Sequence, residues 1–212
     1  MPNQFPYFQY TWDMLEKERS IGGKESAEQT LENIAEETEE VLSEHGMSIP
    51  NVEVFYAPDQ LDENVQGRVS YRGTDELDGM IFMGSESPHR PDHLTPRVSD
   101  TLVEEYMHIQ FEEVQDFDIP TEMGVDILGS VWSLYSQNLI DNDAAVDEVA
   151  YHSKHGYNQR DRTADGYGDM VEEGIYELVE DFREAESERK MMETALEKSE
   201  ILFRQYNEDR LG

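Results

Sequence analysis

Apolar residues in the first fifty positions recur at helical spacing. Leu31, Ile34, Ala35, Thr38, Val41 and Leu42 fall three or four apart, which puts them on one side of a 3.6-residue repeat. The pattern predicts a helix with Ser26 as its N-cap and Gly46 closing it, preceded by a shorter helix over residues 10–19 beyond Gly22-Gly23. The period then changes. Residues 51–57 (NVEVFYA), 66–72 (QGRVSYR) and 79–83 (GMIFM) are short runs rich in β-branched and aromatic side chains. They are separated by turn-forming PDQLDENV and GTDELD, and they read as three strands. Residues 84–97 form a loop broken by Pro88, Pro91 and Pro96.

Beyond that loop the pattern is helical throughout. Ser99 or Asp100 is placed to cap a helix reaching about residue 115. The segment TEMGVDILGSVWSLYSQNLI follows, with Asp126 its only charge between Glu122 and Asp141. A helix apolar on nearly all sides is a buried, central one. A third helix is predicted over 143–155. After GYNQRDRTADGYG, a long helical region runs from about 169 to 210, striped by Val171, Ile175, Leu178, Phe182, Leu202 and Tyr206. Unbroken, it would be roughly 60 Å long, so it either breaks once or packs against another subunit. The predicted class is α+β: an N-terminal helix, a small three-stranded sheet, then a helical half with a long C-terminal helical region. The expected division is an α+β domain over 1–168 and a helical extension over 169–212 that packs on the domain or on a partner subunit.

Charge changes the picture. The 212 residues carry 16 Lys and Arg against 49 Asp and Glu, a net −33. The acidity is spread along the chain: residues 1–50 hold 3 basic and 11 acidic side chains, and residues 169–212 hold 6 and 14. A field of this sign repels phosphate backbones and anionic lipid, so neither nucleic acid nor a membrane is an expected partner. Abundant carboxylates, scarce Lys and no Cys resemble the composition of proteins from salt-saturated cytoplasm, as in haloarchaea. There the Debye length is about 3 Å or less, and self-repulsion is screened. The opening MPNQFPYFQYTWDMLEKE has neither a basic n-region nor an apolar h-region, so no secretory signal is expected. Residues 123–140 are too polar for a membrane span. The expected location is the cytoplasm of a salt-accumulating halophile, or a virion assembled there.

The segment TLVEEYMHIQ, residues 101–110, is the most suggestive for chemistry. Glu104 and His108 are four apart, about 40° from each other around a helix, and two such side chains can ligate one metal ion. Glu105 between them is a candidate base for metal-bound water. The stretch Glu104-Glu105-Tyr106-Met107-His108 resembles the H-E-x-x-H helix of zincin metallopeptidases, with Glu in place of the first His. GMIFM stands where the edge strand of a zincin sheet precedes the motif helix. The resemblance covers roughly residues 51–155. In its gluzincin form it implies Glu104, His108 and Glu148 as metal ligands and Glu105 as catalytic base; separately, His152 falls on the Glu148 face of its helix, four positions on, and is a weaker candidate donor. The ion would be a single divalent metal, zinc or, with a Glu in the first ligand place, a harder cation; the same substitution also suits a site that holds no metal.

A plainer reading competes. Glu104, Glu105, His108, Glu112 and Gln115 share an arc about 100° wide, as the solvated face of an amphipathic helix would. His155 and His45 suit helix C-termini, and His89 and His93 lie in the proline-broken loop. No phosphate-loop, dinucleotide or nucleophile-elbow motif is present. Two functions are therefore expected. One is a non-catalytic zincin-like domain serving as a structural or assembly subunit among other protein subunits, for instance in the virion of a haloarchaeal virus at the head–tail junction. The other is an active metal-dependent peptidase with a Glu/His/Glu site.

Overall fold

A computed structural model describes residues 6–44, 49–61, 67–70, 78–84, 97–112, 119–158 and 167–184. They form helix α1 (Trp12–Glu44), strands β1 (Val52–Tyr56), β2 (Gly67–Ser70) and β3 (Gly79–Met83), and helices α2 (Val98–Glu112), α3 (Ile119–Ser136), α4 (Asp143–Asn158) and α5 (Tyr167–Glu184). The layout is α+β, with the helix, small sheet and helical half in the expected order. Among the described residues no helix is long and apolar enough to cross a membrane.

The chain divides into two compact units. One comprises residues 1–90 and 95–113, the other residues 91–94 and 114–212. The division thus falls between α2 and α3. Within the second unit α5 packs on α3 and α4. The predicted stripe beyond residue 184 lies outside the described residues, as do His45, Gly46, His89 and His93.

In the first unit α1 is interrupted at Gly23, whose φ of 81° and ψ of −172° are accessible mainly to glycine. The two predicted helices therefore meet at a kink at Gly23, where their division was expected. Ser26 lies past the break, inside the helix, and its hydroxyl donates to Glu18 Oε2 at 3.3 Å in place of capping. Leu31, Ile34, Ala35, Thr38, Val41 and Leu42 are all buried, as their spacing predicted.

The sheet runs in the order β1-β3-β2. β3 is parallel to β1 and antiparallel to β2, with Tyr56 opposite Met83 and Gly67 opposite Met83 on its two sides. GMIFM is therefore the central strand of the three, which corrects its expected place at an edge. Its apolar residues on both faces suit that position: Gly79, Ile81 and Met83 are buried and Met80 and Phe82 half-buried.

Helix α2 starts at Val98, so Ser99 and Asp100 lie within it and neither is its N-cap. Both are buried. The start is instead held by the N-terminal segment: Val98 N–H donates to the Tyr10 carbonyl at 3.0 Å, and the Ser99 hydroxyl donates to the Phe8 carbonyl at 2.9 Å. A free helix N–H is thus satisfied by another segment of backbone.

In the second unit α3 is buried along most of its length. Val125, Ile127, Leu128, Val131, Trp132 and Leu134 are sealed from solvent, as its lack of charge predicted. It ends at Asn138, whose φ of 58° is left-handed. Leu139 N–H donates to the Leu134 carbonyl at 2.8 Å and Asn138 N–H to the Tyr135 carbonyl at 2.9 Å, the paired bonds of a Schellman terminus with Asn in the usual Gly place. α5 buries Val171, Ile175, Leu178, Val179 and Phe182 at helical spacing. Lys154 of α4 binds Asp169 at 2.6 Å and Glu172 at 2.7 Å. Arg183 donates to the Ile140 carbonyl at 3.0 Å and to Asp143 at 2.7 Å. With so few cations in the chain, each of these two serves several acceptors.

Candidate functional site

Helix α2 presents its acidic stretch in an uneven way. Glu104 and His108 are half-buried on one face, as four-residue spacing requires, whereas Glu105 is only 7% exposed. Neither a solvated face nor a base open to substrate places Glu105 there. Its side chain lies against β2: a Cβ built on Gly67 would fall 2.5 Å from Glu105 Oε1, 2.9 Å from its Cγ and 2.9 Å from Thr101 Cγ2. Glu105 and Thr101 thus occupy the space that any other residue at position 67 would need. Gly67→Ala is expected to cost about 1–3 kcal/mol in urea denaturation. A Gly67→Ala/Glu105→Ala double variant should recover part of that loss; strictly additive costs would show that the two positions do not contact.

The other side of α2 is tied to α1. Tyr106 is fully buried, and its hydroxyl donates to Glu39 Oε1 at 2.8 Å. Burial first, and the Glu39 carboxylate second, push the phenol well above its ordinary range. A folded pKa raised above the unfolded value of about 10 gives stability that is complete below that pH and lost as pH rises past it. The unfolded chain then releases a proton that the folded chain retains. Tyr106→Phe is therefore expected to cost about 1 kcal/mol near neutral pH and to flatten the alkaline fall in stability. An unchanged alkaline limb in thermal melts would exclude Tyr106 as its source.

Glu148 and His152 are on α4, in the second unit. Glu148 is half-buried and His152 exposed. The His152 ring meets Tyr151 edge-on with centroids 5.5 Å apart, and the same Tyr151 ring packs on His155 at 4.1 Å. Of the expected ligands, Glu104 and His108 thus lie on α2 and Glu148 on α4. Among the described residues no three His, Asp or Glu side chains gather as a metal ion requires, since a protein-held divalent ion needs at least three convergent donors.

A second polar group, invisible in the sequence, lies at the end of β1. The buried Tyr56 hydroxyl donates to Glu16 Oε1 at 2.6 Å and accepts from Arg19 at 3.4 Å, while the Arg19 guanidinium stands 5.8 Å from the Tyr56 ring centre. Burial and Glu16 push this phenol well above its usual range. Beside it is an open cavity of about 100 Å³ bordered by Arg19, Lys24, Tyr56 and residues 57–60, below the roughly 300 Å³ at which small-molecule sites begin. No local pattern announces this group, because its partners are 37 and 40 positions apart. In comparisons with known families, characterised proteins and solved structures, nothing matches the chain.

Proposed function

We propose that this chain is a non-catalytic, salt-adapted subunit of a protein assembly, with the zincin-like motif of α2 kept as a structural element. The observation that carries the reading is Glu105. The residue that a zincin would use as base is packed against Gly67, where it acts as a strut between α2 and β2. The evenly spread charge of −33 supports a home in molar salt, either a halophile's cytoplasm or a haloarchaeal virion assembled there, with other protein subunits as partners. The half-exposed pair Glu104 and His108 on one face of α2 favours the second reading, a peptidase with a Glu/His/Glu metal site completed by Glu148.

Metal analysis separates the two. Protein purified in molar KCl without added metal should hold less than stoichiometric zinc, manganese or magnesium and should cleave no peptide. Glu105→Gln should then change only stability. Stoichiometric metal, with peptidase activity abolished by Glu105→Gln, would overturn the assembly reading and establish the enzyme.

A further inference from the structure

The sheet has two unlike faces. Tyr56, Ile81 and Met83 point to the buried side. On the other side the register aligns two rows across β1, β3 and β2: Phe55–Phe82–Arg68 and Glu53–Met80–Ser70. Phe55 is 37% exposed, Phe82 and Met80 are half-buried, and Glu53 and Arg68 are exposed. The Phe55 and Phe82 rings stack with centroids 5.6 Å apart and planes 23° apart. This is an apolar centre with one anion on the β1 margin and one cation on the β2 margin, in a chain whose surface is otherwise dense with carboxylates.

We propose that this face binds a second copy of the chain, sheet against sheet, about a two-fold axis running along β3. The arrangement of the two rows selects that partner and that axis. Rotation about β3 exchanges the margins and keeps each row level. Arg68 of one copy then lies over Phe55 of the other, and Glu53 meets Ser70, with each contact made twice. Phe82 and Met80 meet their own counterparts on the axis. An axis across the strands would set Glu53 over Phe55 and Arg68 over Ser70, with neither aromatic nor charge complementarity. Face-to-face sheets stand about 10 Å apart, and a guanidinium over an aromatic face is attractive. Three short strands offer less than the roughly 800 Å² per partner of a standard interface, so the dimer is weak. Two chains of this charge approach closely only where salt screens them and strengthens apolar burial. The proposal goes beyond the assembly reading: it rests on the sheet face and stands whether or not α2 binds metal.

The test is sedimentation velocity of the full chain at roughly 100 µM, from about 0.2 M to about 3 M KCl. The dimer fraction should rise with salt. Phe55→Ser and Arg68→Ala, each checked for an unchanged circular dichroism spectrum, should weaken the dimer about tenfold or more. Because the chain has no cysteine, Met80→Cys places a single thiol per copy beside the axis. A short bismaleimide should cross-link that variant in high salt, and should leave Glu28→Cys on α1 monomeric. A monomer at every salt would overturn the proposal. So would a dimer that Phe55→Ser leaves undiminished, or equal cross-linking at positions 80 and 28.

Discussion

Transfer of the protein from about 3 M KCl to about 0.1 M is expected to lower its melting midpoint by about 10 °C or more, and to unfold it where the margin is small. Forty-nine carboxylates face 16 cations, and among the described residues Lys154 is already committed to two acids and Arg183 to three. The remaining acids repel one another over a Debye length of about 10 Å at 0.1 M, which shrinks to about 3 Å at 1 M. Folding brings these charges together, so the folded state bears more of the repulsion than the extended one. Against a total stability of about 5–15 kcal/mol, that term is decisive. Screening is nearly complete by about 1 M. Any further gain up to about 3 M belongs to strengthened apolar burial. A midpoint that stays within a few degrees across the series would sink the salt-adapted reading of the composition.

Trp132→Ala is the substitution expected to do most damage. The indole is 1% exposed in the C-terminal third of α3. It stands 5.8 Å from the Tyr135 ring, which in turn meets Phe182 of α5 edge-on at 5.8 Å. Removing it deletes the largest side chain of that cluster and leaves a cavity between helices that are held mainly by apolar contact. The expected cost is about 3–5 kcal/mol, a shift of about 2 M in urea midpoint at ordinary slopes. Met14→Ala, at a residue 44% exposed, should stay within about 0.5 kcal/mol. A Trp132→Ala loss no greater than that of Met14→Ala would remove α3 from the centre of the second unit's core.

Two placements behind the resemblance to zincins fare differently in the fold. The acidic motif does sit on a helix that follows the strands. GMIFM is central where an edge was expected, because both its neighbours in the sheet pair with it: β1 from 27 positions before, in parallel, and β2 from the nearer side. That departure concerns long-range neighbours, which a five-residue motif does not encode.

Periodicity determined which residues of α1 are buried, since side-chain direction along a helix repeats every 3.6 residues regardless of what lies beyond, while the lack of charge in α3 and the short apolar run of β3 marked those elements as buried. Composition determined the uniform acidic surface. The fate of Glu105 was beyond both. It stands at the margin of α2's polar arc, where one neighbour more or less decides between solvent and core, and in so acidic a chain its spelling differs in nothing from that of Glu104 beside it. Only the tertiary structure, by setting the backbone of Gly67 against it, turned that carboxylate into a strut. The same holds for Tyr56 with Glu16, and for the rows of β1, β3 and β2 that align Phe55, Phe82 and Arg68. Each is made by segments that are distant along the chain and come together only when the sheet closes on its helices.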